Sequence, residues 1–335
     1  MSERIASAPP RLARRALLGA AICPALAGGL ACPAGAATSG LAVIGRDGWL
    51  FPLWDVSARF EPAALLSATQ VMNEAAAALK AAGIAVAIAL IPSKARTYRQ
   101  FLPADARLPA DVDKRYPAAL AELRRSGALV PDLDTPFAAA RGDAEHPLYF
   151  RSDTHWTPAG AEVAAVEFAR RIKEAVRLPP AARRGTQLGQ PMPTRYPQGD
   201  LVRWLPEDAR AKYQAEQFPL REALAGGAAS LLDDDAADVA VVGNSFVQPK
   251  YGFVPLLSNQ LDRPVSLAWK GNNFGPFVTM LEYLKGPVFR KQRPKLLVWA
   301  VLETDSQNLP NSSSWGQNGM TPQAFTGAVR AALGQ

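Results

Sequence analysis

The chain is 335 residues long, with 20% charged residues and a formal net charge of +7. This length is ample for one α/β domain with its own core and short for two. Both cysteines, Cys23 and Cys32, precede residue 37, and the chain has only 2 histidines, so a cysteine nucleophile, a metal site and a cofactor are not expected.

Residues 1–36 have the pattern of an export signal peptide. The pair Arg14-Arg15 precedes an apolar stretch over residues 16–31, and an A-x-A cleavage site ends at Ala36. The segment is compatible with a Sec or a twin-arginine signal, which predicts a periplasmic protein cleaved after Ala36. An uncleaved membrane anchor is the alternative, but the unbroken apolar run is shorter than the ~20 residues that a membrane span needs.

The remaining positive charge is small. Four arginines and one glutamate in the first 36 residues contribute +3, which leaves +4 for residues 37–335. A weak positive field favours anionic partners such as a uronic-acid polysaccharide, although a solvated basic surface explains the same excess. The basic residues are not interleaved with aromatic ones as in a nucleic-acid-binding face, so no nucleic-acid partner is expected.

Beyond residue 36, apolar runs alternate with helical patterns, which predicts one α/β domain over residues 37–335 with a doubly wound, mostly parallel sheet. Apolar runs rich in β-branched residues predict strands over residues 84–91, 128–133, 239–242, 265–269 and 296–302. Helical periodicity predicts helices over residues 62–82, 112–125, 158–176 and 321–333. Residues 177–237 are rich in proline, glycine and arginine, and we expect them to be an irregular insertion.

The stretch Asp153-Thr154-His155-Trp156-Thr157-Pro158 sets an acid beside one of the two histidines. Residues two apart in an extended segment point to the same side, so Asp153 and His155 can face one pocket. Thr157 and Pro158 have the pattern of a helix N-cap followed by the first helical position. A helix start with incidental polar residues is the alternative interpretation.

A second candidate site follows the predicted strand 239–242, where Gly243-Asn244-Ser245 forms a turn. A serine hydroxyl is a poor nucleophile unless a base removes its proton. His155 can be that base, with Asp153 as its orienting partner. A plain turn after a strand is again the alternative.

Ligands in doubly wound sheets collect beyond the carboxyl ends of the strands. Ser93-Lys94, Ser245 and Asn272-Asn273 each follow a predicted strand, so we expect them to lie at the same edge of the sheet. Asn272 and Asn273 can also simply form a turn, and Lys94 can be a surface residue.

Taken together, the chain resembles the SGNH-hydrolase-like alginate O-acetyltransferases of the AlgJ and AlgX type over about residues 41–305. The motifs that carry the resemblance are Gly45-Arg46-Asp47-Gly48-Trp49-Leu50-Phe51, Ile91-Pro92-Ser93-Lys94 through Tyr98 to Leu102-Pro103, Ser152-Asp153-Thr154-His155-Trp156, Gly199-Asp200-Leu201 and Gly243-Asn244-Ser245-Phe246. Trp299 to Thr304 is similar to the family's Trp-Glu-x-x-Glu-Arg segment but lacks its first Glu and its Arg.

The resemblance implies an SGNH-like fold with a permuted motif order and a catalytic triad of Asp153, His155 and Ser245, in which Asp and His precede Ser. The oxyanion donors are then expected from the Ser245 backbone N–H and the side chain of Asn272 or Asn273. Lys94 and Tyr98 are candidates for contacts with an acidic sugar. With no further domain evident after the last predicted strand, the chain is more similar to the single-domain AlgJ type.

Three functional hypotheses follow from these residues. The first is a periplasmic O-acetyltransferase that acts on an acidic or neutral exopolysaccharide through an acetyl-serine intermediate. The resemblance implies a membrane-bound O-acyltransferase as its acetyl donor and other polysaccharide synthesis and export proteins as partners. The second hypothesis is a polysaccharide acetyl esterase with the same triad, since acceptor choice depends on pocket shape and water exclusion. The third is a non-catalytic scaffold that binds polysaccharide.

Overall fold

The computed structural model describes residues 38–224 and 237–335, so the predicted export signal lies outside the described residues. The described strands are β1 (Thr38–Ser39), β2 (Ala42–Ile44), β3 (Leu50–Pro52), β4 (Ala85–Ile91), β5 (Leu188–Tyr196), β6 (Glu216–Ala223), β7 (Val239–Gly243), β8 (Val265–Trp269) and β9 (Leu296–Leu302). The described α-helices are α1 (Leu53–Ser57), α2 (Pro62–Ala81), α3 (Lys94–Thr97), α4 (Val112–Arg124), α5 (Asp134–Ala140), α6 (Pro158–Ala175), α7 (Glu207–Arg210), α8 (Phe253–Leu261), α9 (Gly275–Lys285), α10 (Pro287–Lys291) and α11 (Pro322–Leu333).

The central sheet has four strands in the order β4-β9-β7-β8, and every neighbouring pair is parallel. These strands and helices α2, α4, α6 and α11 follow the predicted segments to within two residues at each end. The predicted strand over residues 128–133 is reduced to a single parallel bridge between Leu129 and Ala87 of β4. The predicted doubly wound, parallel α/β fold is confirmed.

Two hydrophobic cores flank this sheet, because successive strand residues point to opposite faces. Leu296 and Val298 of β9 pack in one core with helices α6 and α8. Leu297 and Trp299 pack in the other core with helices α2, α4, α9 and α11. Burial on both faces explains why these strands are continuous apolar runs and not alternating ones.

Two small antiparallel sheets accompany the central one. Strands β1, β2 and β3 form a three-stranded sheet. Strands β5 and β6 pair antiparallel, with Pro193 opposite Pro219, so the expectation of an irregular insertion over residues 177–237 is wrong for this part. The prolines in β5 and β6 are the reason that the sequence does not predict this strand pair. Proline lacks the N–H that a β-ladder needs, so its presence normally argues against a strand.

All described residues fall in one compact unit. Within residues 38–224 and 237–335, none of the helices combines the length and the hydrophobicity that crossing a membrane would require.

Candidate active site

A cleft opens at the carboxyl ends of β4, β7 and β9, where ligands bind in sheets of this topology. Its empty volume is about 440 Å³, including open solvent at its entrance. His155, Ser245, Asn272, Trp54 and Asp55 are among its lining residues. The topology thus brings the predicted base, the predicted nucleophile and one predicted oxyanion donor to one surface.

The three predicted triad residues form one hydrogen-bonded chain. His155 Nε2 lies 2.7 Å from Ser245 Oγ, and His155 Nδ1 lies 2.6 Å from Asp153 Oδ1. Because an ionised carboxylate only accepts hydrogen bonds, Nδ1 carries the proton and Nε2 is free to accept the Ser245 proton. This is the geometry of a nucleophile, a base and an orienting acid.

Ser245 is presented by the tight turn that follows β7. A Cβ on Gly243 would lie 2.6 Å from the Ala300 Cβ, so only glycine lets the end of β7 approach β9 this closely. Asn244 then caps the short 3₁₀ helix Ser245–Val247 by accepting from the Phe246 N–H at 3.1 Å. The cap leaves the Ser245 hydroxyl partly exposed in the cleft.

His155 lies at the end of the loop that leads into α6. The Thr157 side chain caps this helix by accepting from Gly160 N, and Pro158 is its first residue, as predicted. The adjacent Trp156 Nε1 donates to the Phe246 carbonyl at 2.8 Å and is buried. The residue after His155 is therefore bonded directly to the residue after Ser245.

Aromatic rings and one carboxylate surround the imidazole. Tyr251 stacks on His155 with ring centroids 5.2 Å apart, and Phe246 lies at 4.9 Å. Burial disfavours the charged form of Asp153, but hydrogen bonds from the His155 side chain and backbone outweigh this and hold the Asp153 pKa below its usual value. Asp153 is therefore an anion that orients the imidazole.

Asp153, His155 and Asp200 bring three atoms that could bind a metal within 4.8 Å of one another. The 2.6 Å contact between Asp153 Oδ1 and His155 Nδ1 is shorter than the separation of two ligands that share an ion at about 2.0–2.2 Å each in tetrahedral geometry. These atoms fit a hydrogen-bonded triad better than a metal site. The expected lack of a cofactor stays a prediction.

The other predicted site residues divide between the cleft and the core. Asn272 lines the cleft, and its Oδ1 accepts from Asn244 Nδ2 at 3.4 Å. The Asn273 carbonyl accepts from the Asn318 side chain, and Asn273 is not among the cleft-lining residues. Tyr98 is buried, and its hydroxyl accepts from the Leu148 N–H, so the predicted sugar contact of Tyr98 is wrong. Its ring packs the core.

Lys94 is a buried cation beside the triad residues. Its side chain is buried, and its ammonium donates to the carbonyls of Arg151 at 3.1 Å and Asp153 at 2.8 Å. Burial lowers the Lys94 pKa to about 8, although neighbouring carboxylates, Asp153 first among them, oppose this. Lys94 is among the cleft-lining residues, but its ammonium is paired with the backbone of the loop that carries Asp153 and His155, so its contact with an acidic sugar stays a prediction.

Two buried carboxylates next to the cleft escaped the sequence analysis. Asp55 Oδ2 accepts from Lys94 N at 2.9 Å, and Glu303 Oε2 accepts from Ser93 N at 2.9 Å. Together they satisfy the backbone donors at the start of α3. Glu303 lies within the segment from Trp299 to Thr304 that is similar to the family motif, but this similarity does not indicate its role. Asp55 belongs to no motif that would mark it in the sequence.

Asp55 makes stability depend on pH. Burial raises its pKa from 3.8 to about 6, with Arg115 opposing and Glu303 adding to the effect. The folded state therefore holds this proton between about pH 4 and pH 6 while the unfolded state has lost it, so Asp55 lowers the stability as the pH rises through this window.

We expect Asp55→Asn to gain stability relative to the wild type as the pH rises from 4 to 6, by roughly 2 kcal/mol. Asparagine keeps an acceptor for the Lys94 N–H. Urea unfolding of both proteins at pH 4, 5, 6 and 7 measures the difference. A difference that does not change with pH would contradict the assignment.

Comparisons with known proteins agree with this architecture. The family model described as an SGNH hydrolase-like domain, acetyltransferase AlgX, matches residues 42–303. A probable alginate O-acetylase AlgJ from Pseudomonas putida is 32% identical over 277 residues, which are 77% of this chain and 68% of the relative. The protein with the same name from Pseudomonas aeruginosa is 33% identical over 299 residues, with 82% and 72% coverage.

Solved structures give the same result. The O-acetyltransferase domain of Pseudomonas putida AlgJ superposes with a TM-score of 0.71 at 25% identity, over 87% of this chain and 99% of that domain. Pseudomonas aeruginosa AlgX shares the fold with a TM-score of 0.62 at 21% identity, over 85% and 72% of the two chains. The chain therefore belongs to the AlgX-type family of SGNH hydrolase-like acetyltransferases.

Proposed function

We propose that this protein is a periplasmic O-acetyltransferase that acetylates hydroxyl groups of an exopolysaccharide through an acetyl-Ser245 intermediate. The observation that carries the proposal is the 2.7 Å contact between His155 Nε2 and Ser245 Oγ, with Asp153 on the opposite ring nitrogen. The relatives with matching chains are named as alginate O-acetylases, which supports an acetyl group and a polysaccharide acceptor.

The geometry supports a reaction in two halves. His155 Nε2 takes the Ser245 proton while Oγ attacks the acetyl carbonyl of the donor. The bond from the acetyl carbon to the donor breaks, and the leaving group takes the proton from the imidazolium. A sugar hydroxyl then gives its proton to His155 and attacks the acetyl-serine, and Ser245 Oγ leaves and is reprotonated.

Each half passes through a tetrahedral oxyanion, which needs hydrogen-bond donors fixed in advance. The Ser245 N–H and the Asn272 side-chain amide are the donors in this proposal. Asn244 Nδ2 donates to Asn272 Oδ1 at 3.4 Å, and the Asn272 side chain also bonds to the buried Asp305 carboxyl group, so one N–H of its amide would serve the oxyanion. A membrane-bound O-acyltransferase as acetyl donor and polysaccharide synthesis proteins as partners belong to the same proposal.

The test is mass spectrometry of the purified protein after exposure to an activated acetyl ester, with and without a uronic-acid oligosaccharide. We expect acetyl-Ser245, followed by transfer of the acetyl group to the sugar. Rapid loss to water regardless of sugar would establish the esterase instead. A folded protein that is not acetylated would instead favour the third hypothesis, a non-catalytic scaffold that binds polysaccharide.

Trp54 is an aromatic residue at the cleft that the sequence analysis missed. Its side chain is 38% exposed and lines the cleft beside Asp55. An exposed indole ring offers an apolar face against which a sugar ring can stack. We expect Trp54→Ala to raise KM for the oligosaccharide by about 3- to 10-fold, with kcat within twofold of the wild type.

Initial rates of acetyl transfer over a range of oligosaccharide concentrations measure this effect. Trp269 is the matched control, since it is 40% exposed and is not among the cleft-lining residues. An equal rise in KM for Trp269→Ala would show that Trp54 has no specific contact with the acceptor.

A further inference from the structure

The loop that carries Asp153 and His155 has no regular secondary structure. We call residues 151–155 the His155 loop. They lie between Tyr149 and Trp156, which form an isolated antiparallel bridge. Three carbonyls of the loop accept from backbone N–H groups, namely the carbonyls of Arg151, Ser152 and His155. The remaining buried backbone groups must be satisfied by side chains or water. The partners they find decide how firmly the two triad residues are held.

Charged side chains from outside the loop supply many of these partners. Lys94 holds the carbonyls of Arg151 and Asp153, as described above. Glu216 of β6 accepts from Arg151 N at 3.1 Å, from Ser152 N at 3.2 Å and from Ser152 Oγ at 2.9 Å. Hydrogen bonds to charged groups are stronger than neutral ones, so these residues restrain the first half of the loop.

Asp200 restrains the second half, next to the imidazole. Its Oδ1 accepts from Thr154 N at 2.8 Å and its Oδ2 from Thr154 Oγ1 at 2.7 Å. Its own backbone N–H donates to Asp153 Oδ2 at 3.0 Å. Asp200 Oδ2 also lies 3.8 Å from His155 Nδ1, which is beyond hydrogen-bonding distance. Asp200 therefore bonds to both residues that precede His155.

The residue before Asp200 allows this close approach. A Cβ on Gly199 would lie 2.1 Å from the Ser152 carbonyl oxygen and 2.6 Å from Asp153 N. Any other residue would push the two segments apart and break the contacts of Asp200. This explains why the motif Gly199-Asp200-Leu201 pairs a glycine with an acid, a combination to which the proposed chemistry assigns no role.

We propose that Asp200 is a positioning residue of the triad. Its hydrogen bonds to Thr154 and Asp153 maintain two further hydrogen bonds, one between His155 Nδ1 and Asp153 and one between His155 Nε2 and Ser245. Asp200 bonds to Thr154 and Asp153 and not to Ser245, so it acts through its neighbours. The proposal rests on the proposed function only in taking His155 as the base for Ser245. Small displacements of a catalytic group strongly lower the rate of the reaction. The loss of Asp200 therefore lowers the rate at which Ser245 Oγ reacts, although all three triad residues are still present.

The test uses phenylmethanesulfonyl fluoride, with mass spectrometry following the labelling of Ser245. In this reaction Ser245 Oγ bonds to sulfur, fluoride leaves and His155 accepts the serine proton. The final labelled fraction counts folded sites, and the rate constant reports the reactivity of each site. We expect Asp200→Ala to lower the rate constant by about 10- to 100-fold at an unchanged labelled fraction.

Two further variants separate positioning from folding. Asp200→Asn keeps an acceptor for the Thr154 N–H, so it should recover most of the lost rate constant. Glu174→Gln, which removes an acid paired with Arg170 on the exposed face of α6, should match the wild type. A purely structural role would lower the labelled fraction and leave the rate constant unchanged.

Asp200→Ala with a rate constant within twofold of the wild type would overturn the proposal. So would a wild-type protein whose Ser245 is not labelled, because the pair that Asp200 is said to position would then be unreactive. A labelled wild type that transfers no acetyl group to sugar would instead refute the acetyltransferase and leave the role of Asp200 standing.

Discussion

Replacing His155 with alanine is expected to lower the rate of Ser245 acetylation by about 10⁴-fold or more, and Ser245→Ala, which has no hydroxyl to acetylate, gives the background. The serine proton then has no acceptor, because His155 Nε2 is the side-chain atom that the structure places at hydrogen-bonding distance from Ser245 Oγ. Rapid mixing with an activated acetyl ester, followed by mass spectrometry, gives the rate constant per site.

The chain provides its own control for this experiment. His146, the other of the 2 histidines, is exposed and contacts Asp143 at 3.0 Å in an ordinary surface pair. His146→Ala should therefore acetylate at the wild-type rate. If His146→Ala were as slow as His155→Ala, or if His155→Ala kept more than a tenth of the rate, the triad assignment would be wrong.

The largest loss of stability is expected from Glu303→Gln. Glu303 is buried between two cations, with Arg115 Nε at 3.2 Å and Arg96 Nε at 3.1 Å. The Arg115 side chain is 0% exposed, and its Nη2 has no hydrogen-bond partner. A neutral glutamine would remove the carboxylate that pairs with this buried guanidinium, whose Nη1 would keep its hydrogen bond to the Ala58 carbonyl, and this loss costs about 3–5 kcal/mol of the free energy of unfolding.

Urea unfolding at pH 7 measures this loss. Glu282→Gln is the matched control, because Glu282 also forms an ion pair, with Lys270, but is half-exposed. Surface pairs contribute little, so the control should unfold at the wild-type urea concentration. Equal losses in the two variants would mean that the buried cluster has no special role in stability.

Much of this fold was readable from the sequence because its strands are covered on both faces. Residues 85–91, 239–243 and 296–302 are almost wholly apolar, and their predicted bounds hold to within one residue. The positions of Ser245 and His155 followed from the same logic, since a turn at the end of a parallel strand and a capped helix start both leave local signals.

The residues that failed prediction depend on contacts distant in the chain. The family motif makes Tyr98 a candidate for a substrate contact, but long-range packing buries its ring. Glu303 and Arg115 pair across 188 positions of the chain, and no local pattern marks such a pair. The strand pair β5 and β6 is not predicted, because the prolines in these segments argue against strands. The strands form nevertheless, because the two segments pair with each other.

The bond from Trp156 Nε1 to the Phe246 carbonyl joins two segments whose adjacent residues, His155 and Ser245, do the proposed chemistry. The fold itself thereby places the proposed base and the proposed nucleophile against each other. The loss of conformational freedom that brings them together occurs once, when the chain folds, and is not repeated at each encounter with a polysaccharide. In the proposed two-half reaction, donor and acceptor would therefore meet the same preformed pair in turn.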